Sequence, residues 1–362
     1  MIKVAFINSS MPVNGVSTVI MNYCEKLDKN KYEISIFTSK PIDNMYLDCF
    51  KKNNVTLYEL PPKRGGNPFK YYRFLLKNIK KEKFDIVHIH GNSATITIEL
   101  LIAFLNGVKV RIAHCHNTQC DKKIAHHILK PFLKLFYTKG YACSQEAGKW
   151  MFGSSPFKVM NNGFDTKKFK FNENKRNIVR KKLGLENNFV IGHVGMFNYQ
   201  KNHEFMLEIF DSLIKIVPNA VLLLVGTGPD FEKIKDQVKD KDYKDNIIFY
   251  GLCSNVEELY CAMDSFIFPS RYEGLGIVLV EAQINGLPCF ASEYVPRGAM
   301  INNQSVKFLS LNDKNSWVDS LNECLFNNKR DDFYKNNIDF INKFEINHCI
   351  KELENDYSNL VK

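Results

Sequence analysis

The strongest constraint on this chain is one pattern that runs twice. Short β-rich runs, Val4 to Ile7, Ile34 to Thr38, Val55 to Leu60, Ile86 to Ile89, Arg111 to His114, Gly140 to Cys143 and Val159 to Met160, alternate with helical stretches. Connections of a dozen or more residues mean parallel strands joined by crossover helices, in a sheet covered on both faces. The series stops between Asp165 and Lys182, a stretch crowded with Lys, Asn and Phe, and an inter-domain linker is expected at 166–185. It restarts with Phe189 to Val194, Val221 to Val225, Ile247 to Tyr250, Phe266 to Phe268, Cys289 to Ala291 and Val306 to Leu309. The expected fold class is α/β, two Rossmann-like doubly wound domains, 1–165 and 186–345, facing a cleft at the carboxyl ends of their strands. From 346 to 362 the apolar residues Ile346, Ile350, Leu353, Tyr357 and Leu360 keep helical spacing, and no strand follows.

Composition narrows the function classes. With 362 residues, 45% hydrophobic and 24% charged, the chain is too apolar for disorder and long enough for two domains. No apolar run approaches the roughly 20 residues of a membrane helix, and Met1-Ile2-Lys3 leads straight into a strand with no signal-peptide core. Ten cysteines scattered through apolar segments read as buried thiols in a reducing cytoplasm. Residues 1–170 carry 27 Lys and Arg against 12 Asp and Glu, whereas the remainder carries 22 against 27. A basic excess spread over one whole half, with aromatic neighbours as in Phe69-Lys70-Tyr71-Tyr72-Arg73, fits an anionic lipid surface and not nucleic acid. Two helical stretches, Asn67 to Lys83 and Lys122 to Lys139, mix apolar residues with Lys and Arg and suit either an interfacial helix or ordinary core.

The chemistry concentrates in residues 268–282, which run from Phe268-Pro269-Ser270-Arg271-Tyr272-Glu273 through Gly274-Leu275-Gly276 to Glu281-Ala282. This reads as strand, tight loop and helix. Gly274 and Gly276 admit close approach of a ligand to the backbone, and the helix start offers N–H groups and a positive dipole end to a phosphate or to sugar hydroxyls. Glu273 in the loop and Glu281 within the helix can grip different hydroxyl-bearing parts of one extended ligand. In the first half, His88, His90, His114, His116, His126 and His127 cluster, with His116 at the end of a strand-like run. Cys115, His116, Cys120 and His127 match no closed zinc spacing.

The 268–282 segment closely resembles the E-x7-E signature of the retaining family 4 glycosyltransferases of GT-B fold. Asn14-Gly15-Val16 resembles the family's Gly-Gly donor loop, Asn162-Gly163-Phe164-Asp165 its Asn-Gly-x-Asp hinge, and Val225-Gly226-Thr227-Gly228-Pro229 its Val-Gly-x-Gly-Pro strand end. Arg111 to Asn117 and Glu281-Ala282-Gln283 are most similar to the bacterial exopolysaccharide and capsule branch. The resemblance implies a first domain for the acceptor, a second for the nucleotide sugar, and a C-terminal helix that crosses back to pack on the first. It also implies that Glu281 holds the ribose, Glu273 the transferred sugar, and Lys201 the diphosphate. Gly15, Gly274, Leu275 and Gly276 supply backbone contacts, and His116 meets the sugar at the reaction centre.

The resemblance implies an enzyme that moves a sugar from a nucleotide donor, expected to be a UDP-sugar, to a lipid-linked saccharide at the inner face of the membrane. Charge growing on the β-phosphate is met by fixed cations and N–H dipoles, so no metal and no cofactor are expected. Asp240-Lys241-Asp242 lies in a run of alternating charges and reads as a solvated face, not a metal-binding Asp-x-Asp. One position departs from the family. Where Gly-Arg is usual before the Gln-Lys pair, this chain has Gly195-Met196 ahead of Gln200-Lys201, and Arg271 is the candidate substitute cation. A non-catalytic, nucleotide-sugar-binding subunit of a polysaccharide-synthesis complex is the alternative that Met196 leaves open.

Overall fold

Val4 to Ile7 are at most 1% exposed, as a continuous apolar run must be when both faces of its strand are covered. They lie in β1 (Ile2–Met11), the first of seven strands in one sheet with β2 (Tyr32–Ile42), β3 (Thr56–Glu59), β4 (Ile86–Gly91), β5 (Val110–Cys115), β6 (Lys139–Ala142) and β7 (Lys158–Val159). All neighbours pair in parallel, in the order β3-β2-β1-β4-β5-β6-β7. The order reverses between β1 and β4, which opens a crevice at their carboxyl ends.

This computed structural model describes residues 1–63, 66–326, 330 and 332–362, and divides the chain into two units, Met1–Phe164 with Lys343–Lys362, and Asp165–Asn342. The chain leaves the first unit at Phe164 and re-enters beside it. Phe164 N–H donates to the Phe344 carbonyl at 2.9 Å, and Ile346 N–H donates to the Phe164 carbonyl at 3.1 Å. Helix Ile346–Val361 then buries Ile346, Cys349, Ile350, Leu353 and Tyr357, the helically spaced residues, against this unit. Lys158 pairs with Glu352 at 2.9 Å and Asp356 at 3.0 Å, and Tyr141 Oη donates to Asp356 at 2.9 Å. The C-terminal helix therefore packs back on the first unit, as expected.

The second unit repeats the plan with β8 (Phe189–Val194), β9 (Ala220–Val225), β10 (Ile247–Gly251), β11 (Ser265–Phe268), β12 (Cys289–Ser292) and β13 (Val306–Leu309). Its parallel order is β10-β9-β8-β11-β12-β13, with the reversal between β8 and β11. One face packs Phe197, Met206, Phe210, Leu213, Leu222, Leu224, Trp317 and Leu321 into a continuous core. The stretch 166–185, read from sequence as a linker, holds a 3₁₀ turn and helix Glu173–Leu183 that count among this unit's elements. Its anchors are charged, which hid it from a hydrophobic pattern. Arg176 and Arg180 reach Asp264 at 2.5 and 3.0 Å, and Asp264 also accepts the Val190 N–H at 2.8 Å. All ten cysteines are unbridged, and no described helix is long and apolar enough to cross a membrane.

Candidate active site

In the second unit the loops that follow β8 and β11 emerge side by side at the strand-order reversal. The loop after β8 is laced to the end of β9. Gly195 N–H donates to the Val225 carbonyl and Phe197 N–H to the Thr227 carbonyl, each at 3.0 Å. Gly226 sits at φ +134°, and a Cβ there would stand 2.1 Å from the Gly195 carbonyl oxygen. The Val225-Gly226 pair is thus required by the contact between two loops, before any ligand is considered.

Lys201 closes the same loop, its N–H donating to Asn198 Oδ1 at 3.1 Å. Its ammonium donates to Glu273 Oε1 at 2.6 Å and lies 4.5 Å from the Phe268 ring centroid. Glu273 is 5% exposed, so this is a largely desolvated, charge-assisted pair that joins the two loops. Two more bonds fasten them: Arg271 N–H to the Gln200 carbonyl at 2.8 Å, and Asn202 Nδ2 to the Pro269 carbonyl at 3.2 Å. Gly274 and Leu275 are buried in the turn. Gly276, at φ +90°, caps helix Ile277–Ile284, and a Cβ there would meet the Phe268 ring at 3.0 Å.

Glu281 lies within that helix and accepts a hydrogen bond from Tyr260 Oη at 2.9 Å. Burial pushes its carboxyl up to about 7, against the opposing pull of Tyr260. Arg271 is already engaged, with Nη1 donating to the Tyr199 carbonyl at 2.7 Å and its guanidinium 4.2 Å from the Tyr199 ring centroid. It is held on the loop that carries Met196 and Lys201, and the partner of Glu273 is Lys201. Met196 is 37% exposed. Asp240 and Asp242 are exposed in the turn after helix Phe231–Val238.

In the first unit, Asn14 caps helix Gly15–Lys26 by accepting the Ser17 N–H at 2.9 Å, which sets Gly15 at the exposed positive end after β1. His116 follows β5 and is 7% exposed; burial pushes its imidazole down to about 3. Its Nε2 lies 2.8 Å from His90 Nδ1. His126 is structural, stacked on Trp150 at 4.2 Å and accepting the Ala94 N–H at 3.1 Å.

The two basic helices differ. Helix Pro68–Glu82 turns Tyr71, Leu75 and Ile79 into the core, leaving Phe69 and Leu76 exposed. Helix Lys123–Phe136 instead exposes Ile124 (79%), Ile128 (62%), Phe132 (51%) and Leu135 (60%) along one stripe, beside Lys123 and Lys134. Sequence reasoning gave no role to Asn198 and Tyr260, which shape the second unit's site, and placed His90 only within a histidine cluster. Tyr260 lies 21 positions from Glu281 with no local signal, while the His88-Ile89-His90 alternation did mark one strand face.

Two family models match the chain: "Glycosyltransferase Family 4" over residues 13–168 and "Glycosyl transferases group 1" over residues 175–340. The chain is similar to the UDP-Gal:alpha-D-GlcNAc-diphosphoundecaprenol alpha-1,3-galactosyltransferase of Escherichia coli, 29% identical over 88% of this chain and 87% of that one. It is similar also to the capsular polysaccharide biosynthesis glycosyltransferase CapH of Staphylococcus aureus, 26% identical over 99% of each. The crystal structure of Anabaena HepE in complex with UDP and glucose shares the fold, with a TM-score of 0.83 over 99% of this chain and 100% of that one at 16% identity. With both halves matched and both sheets of the required topology, the chain belongs to the family 4 glycosyltransferases of GT-B fold.

Proposed function

We propose that the protein transfers a sugar from a nucleotide donor, a UDP-sugar, to a lipid-linked saccharide in cell-surface polysaccharide synthesis, with retention of anomeric configuration. The observation that carries this reading is the buried Lys201–Glu273 pair at the strand-order reversal of the second unit. It sets a cation for a diphosphate against a carboxylate for sugar hydroxyls, beside a helix start that favours negative charge. As the bond from the anomeric carbon to the β-phosphate oxygen lengthens, negative charge grows on the phosphate. Lys201 and the N–H groups around Gly274, Leu275 and Gly276 then hold it more tightly than they hold the ground state, which lowers the barrier.

Glu281 accepts the ribose hydroxyls and Glu273 those of the transferred sugar. In the first unit, His116 and Gly15 are the residues that the family resemblance assigns to the donor. The nucleotide and acceptor of the Escherichia coli relative support the donor and acceptor classes, and the UDP in HepE supports the nucleotide. The acceptor's lipid fits the basic first unit and the apolar stripe of helix Lys123–Phe136, which would rest on an anionic membrane surface from the cytoplasmic side.

The test is a panel of UDP-, GDP- and ADP-sugars. The productive donor raises the melting temperature and, with a diphosphate-polyprenyl saccharide, yields a product whose new anomeric proton matches that of the donor sugar. Met196 favours one other reading, a subunit that binds the nucleotide sugar without consuming it, because one cation fewer faces the phosphates. Donor protection with no consumption in the presence of acceptor would select it.

A further inference from the structure

Helix Val256–Ala262, in the second unit, ends on carbonyls that its own backbone cannot pair. Three guanidinium groups take them one by one: Arg330 donates to the Tyr260 carbonyl at 2.9 Å, Arg176 to that of Cys261 at 3.2 Å and Arg180 to that of Ala262 at 3.0 Å. Cations there also suit the negative end of the helix. This short helix is therefore fixed at the end that carries Tyr260. The Tyr260 ring is 0% exposed and packs against Phe266 and Phe169, with centroids 5.8 and 5.9 Å away, so its hydroxyl has a set place.

That hydroxyl lies against helix Ile277–Ile284, 2.9 Å from Glu281 Oε2 and 3.2 Å from the Val278 carbonyl oxygen. It has one proton, and the carboxylate is the nearer and the stronger acceptor. An ionised carboxylate has no proton to give, so Tyr260 is the donor whenever Glu281 is charged, and burial keeps the phenol protonated well beyond its usual range. Glu281 is partly exposed, and its Oε1 has no hydrogen-bond partner among the described residues. One oxygen is pinned and the other is open. Without Tyr260 this flexible side chain would have to be ordered when a ligand arrives, at a cost in conformational freedom that a fixed partner removes in advance.

We propose that Tyr260 is a positioning residue for the donor: its hydroxyl holds Glu281 Oε2 so that Oε1 is left to accept the ribose hydroxyls of the nucleotide. This rests on the reading of Glu281 as the ribose ligand. Tyr260 itself never touches the nucleotide. The bond also favours the charged carboxylate, against burial and against the neighbouring charge of Glu257, while Cys289 beside the phenol is kept a neutral thiol by burial.

The experiment measures by calorimetry how the full chain binds UDP and 2′,3′-dideoxy-UDP, which lacks both ribose hydroxyls. The parent should prefer UDP by about tenfold or more. Tyr260→Phe keeps the ring and should cut that preference by about threefold or more, with affinity for the dideoxy nucleotide within about twofold of the parent's. In transfer assays donor KM should rise with kcat within about twofold. Because losing the bond disfavours the ionised carboxylate, the pH at which UDP affinity climbs, about 7 in the parent, should move upward in Tyr260→Phe. A folded Tyr260→Phe that keeps the parental preference, even with both affinities lowered together, overturns the proposal and leaves the hydroxyl a tie to Val278. Should Tyr260→Phe not fold, ¹³C-tyrosine decides in the parent: the Tyr260 ring carbon that bears the hydroxyl should report the ionisation of Glu281 and fall silent in Glu281→Gln, and a signal blind to Glu281 overturns the proposal. A parent that binds both nucleotides alike, or Glu281→Gln with the parental preference, would instead remove the ribose role of Glu281, a failure visible apart from Tyr260.

Discussion

Lys201 pairs with Glu273 at 2.6 Å, so an arriving diphosphate competes for a cation that is already neutralised. Glu273→Gln leaves Lys201 without its counter-charge and the sugar without a carboxylate. We expect kcat to fall by about 100-fold when measured well below the variant's own melting temperature, which should also fall because the buried Lys201 loses its counter-charge. Glu281 differs because burial lifts its carboxyl from the usual 4.5 to about 7. A carboxyl raised on folding stabilises the protein most below its unfolded value, and that contribution is lost as pH rises through the folded value. Between pH 4.5 and 7 the parent should therefore lose on the order of 3 kcal/mol of stability relative to Glu281→Gln, read as the difference between their urea midpoints. Ribose hydroxyls favour the ionised form, so donor affinity should rise with pH through about 7 in the parent and stay flat in Glu281→Gln; parallel profiles would unseat Glu281 as the ribose ligand. Arg271 holds the Tyr199 carbonyl on the loop that carries Met196. If it also supplies the second phosphate cation, Arg271→Ala should cost about tenfold or more in kcat/KM and Met196→Arg in that background should restore part of it, a non-additive pair. Equal losses with and without Met196→Arg would leave Arg271 only its loop contact.

At the scale of elements, helix Glu173–Leu183 is fixed by charge and helix Lys123–Phe136 by what it leaves exposed. The first is polar on most sides and is held where Arg176 and Arg180 close on Asp264. Asp264→Ala takes the counter-charge from Arg176 and Arg180, which keep only backbone carbonyls, and the acceptor from the Val190 N–H, and should cost about 3–5 kcal/mol in denaturant unfolding. The second carries Ile124, Ile128, Phe132 and Leu135 on its outer side, over which Lys123 and Lys134 can meet lipid phosphates. Exposed residues contribute little to the fold, so Ile128→Ser with Phe132→Ser should leave the melting temperature within a few degrees. The same change should weaken binding to anionic vesicles by about tenfold or more, and parental binding should fall with salt, because each Lys or Arg near the surface contributes about 1 kcal/mol. Equal sedimentation with neutral and anionic vesicles would rule the membrane surface out.

For the whole molecule, the proposed donor site rests on a lysine, backbone N–H groups and carboxylates, while Asp240 and Asp242 stand exposed on a turn in the second unit. Transfer should therefore run at the same rate in EDTA; loss of activity that Mn²⁺ or Mg²⁺ restored would overturn the metal-independent reading. The two sheets were legible because a parallel strand buried on both faces must be a continuous apolar run, and runs such as Val4 to Ile7 and Phe189 to Val194 cannot be much else at their spacing. The loop–helix unit around Glu273 and Glu281 was legible for a related reason: Gly276 at positive φ and the helix after it are local requirements, written in consecutive residues. Helix Glu173–Leu183 was not, because its anchors are ion pairs to Asp264, some 84 to 88 positions away. Nor were the partners of the site residues. That Lys201 meets Glu273 across 72 positions, Tyr260 meets Glu281 across 21 and His90 meets His116 across 26 depends on strand order and register. Local sequence thus determined the elements and the residue types at their ends, since dihedral preference and apolar periodicity act over a few residues. Which of those ends face one another, and so which charges are paired, buried or shifted, was decided only when the sheets formed, because electrostatics acts through space and not along the chain.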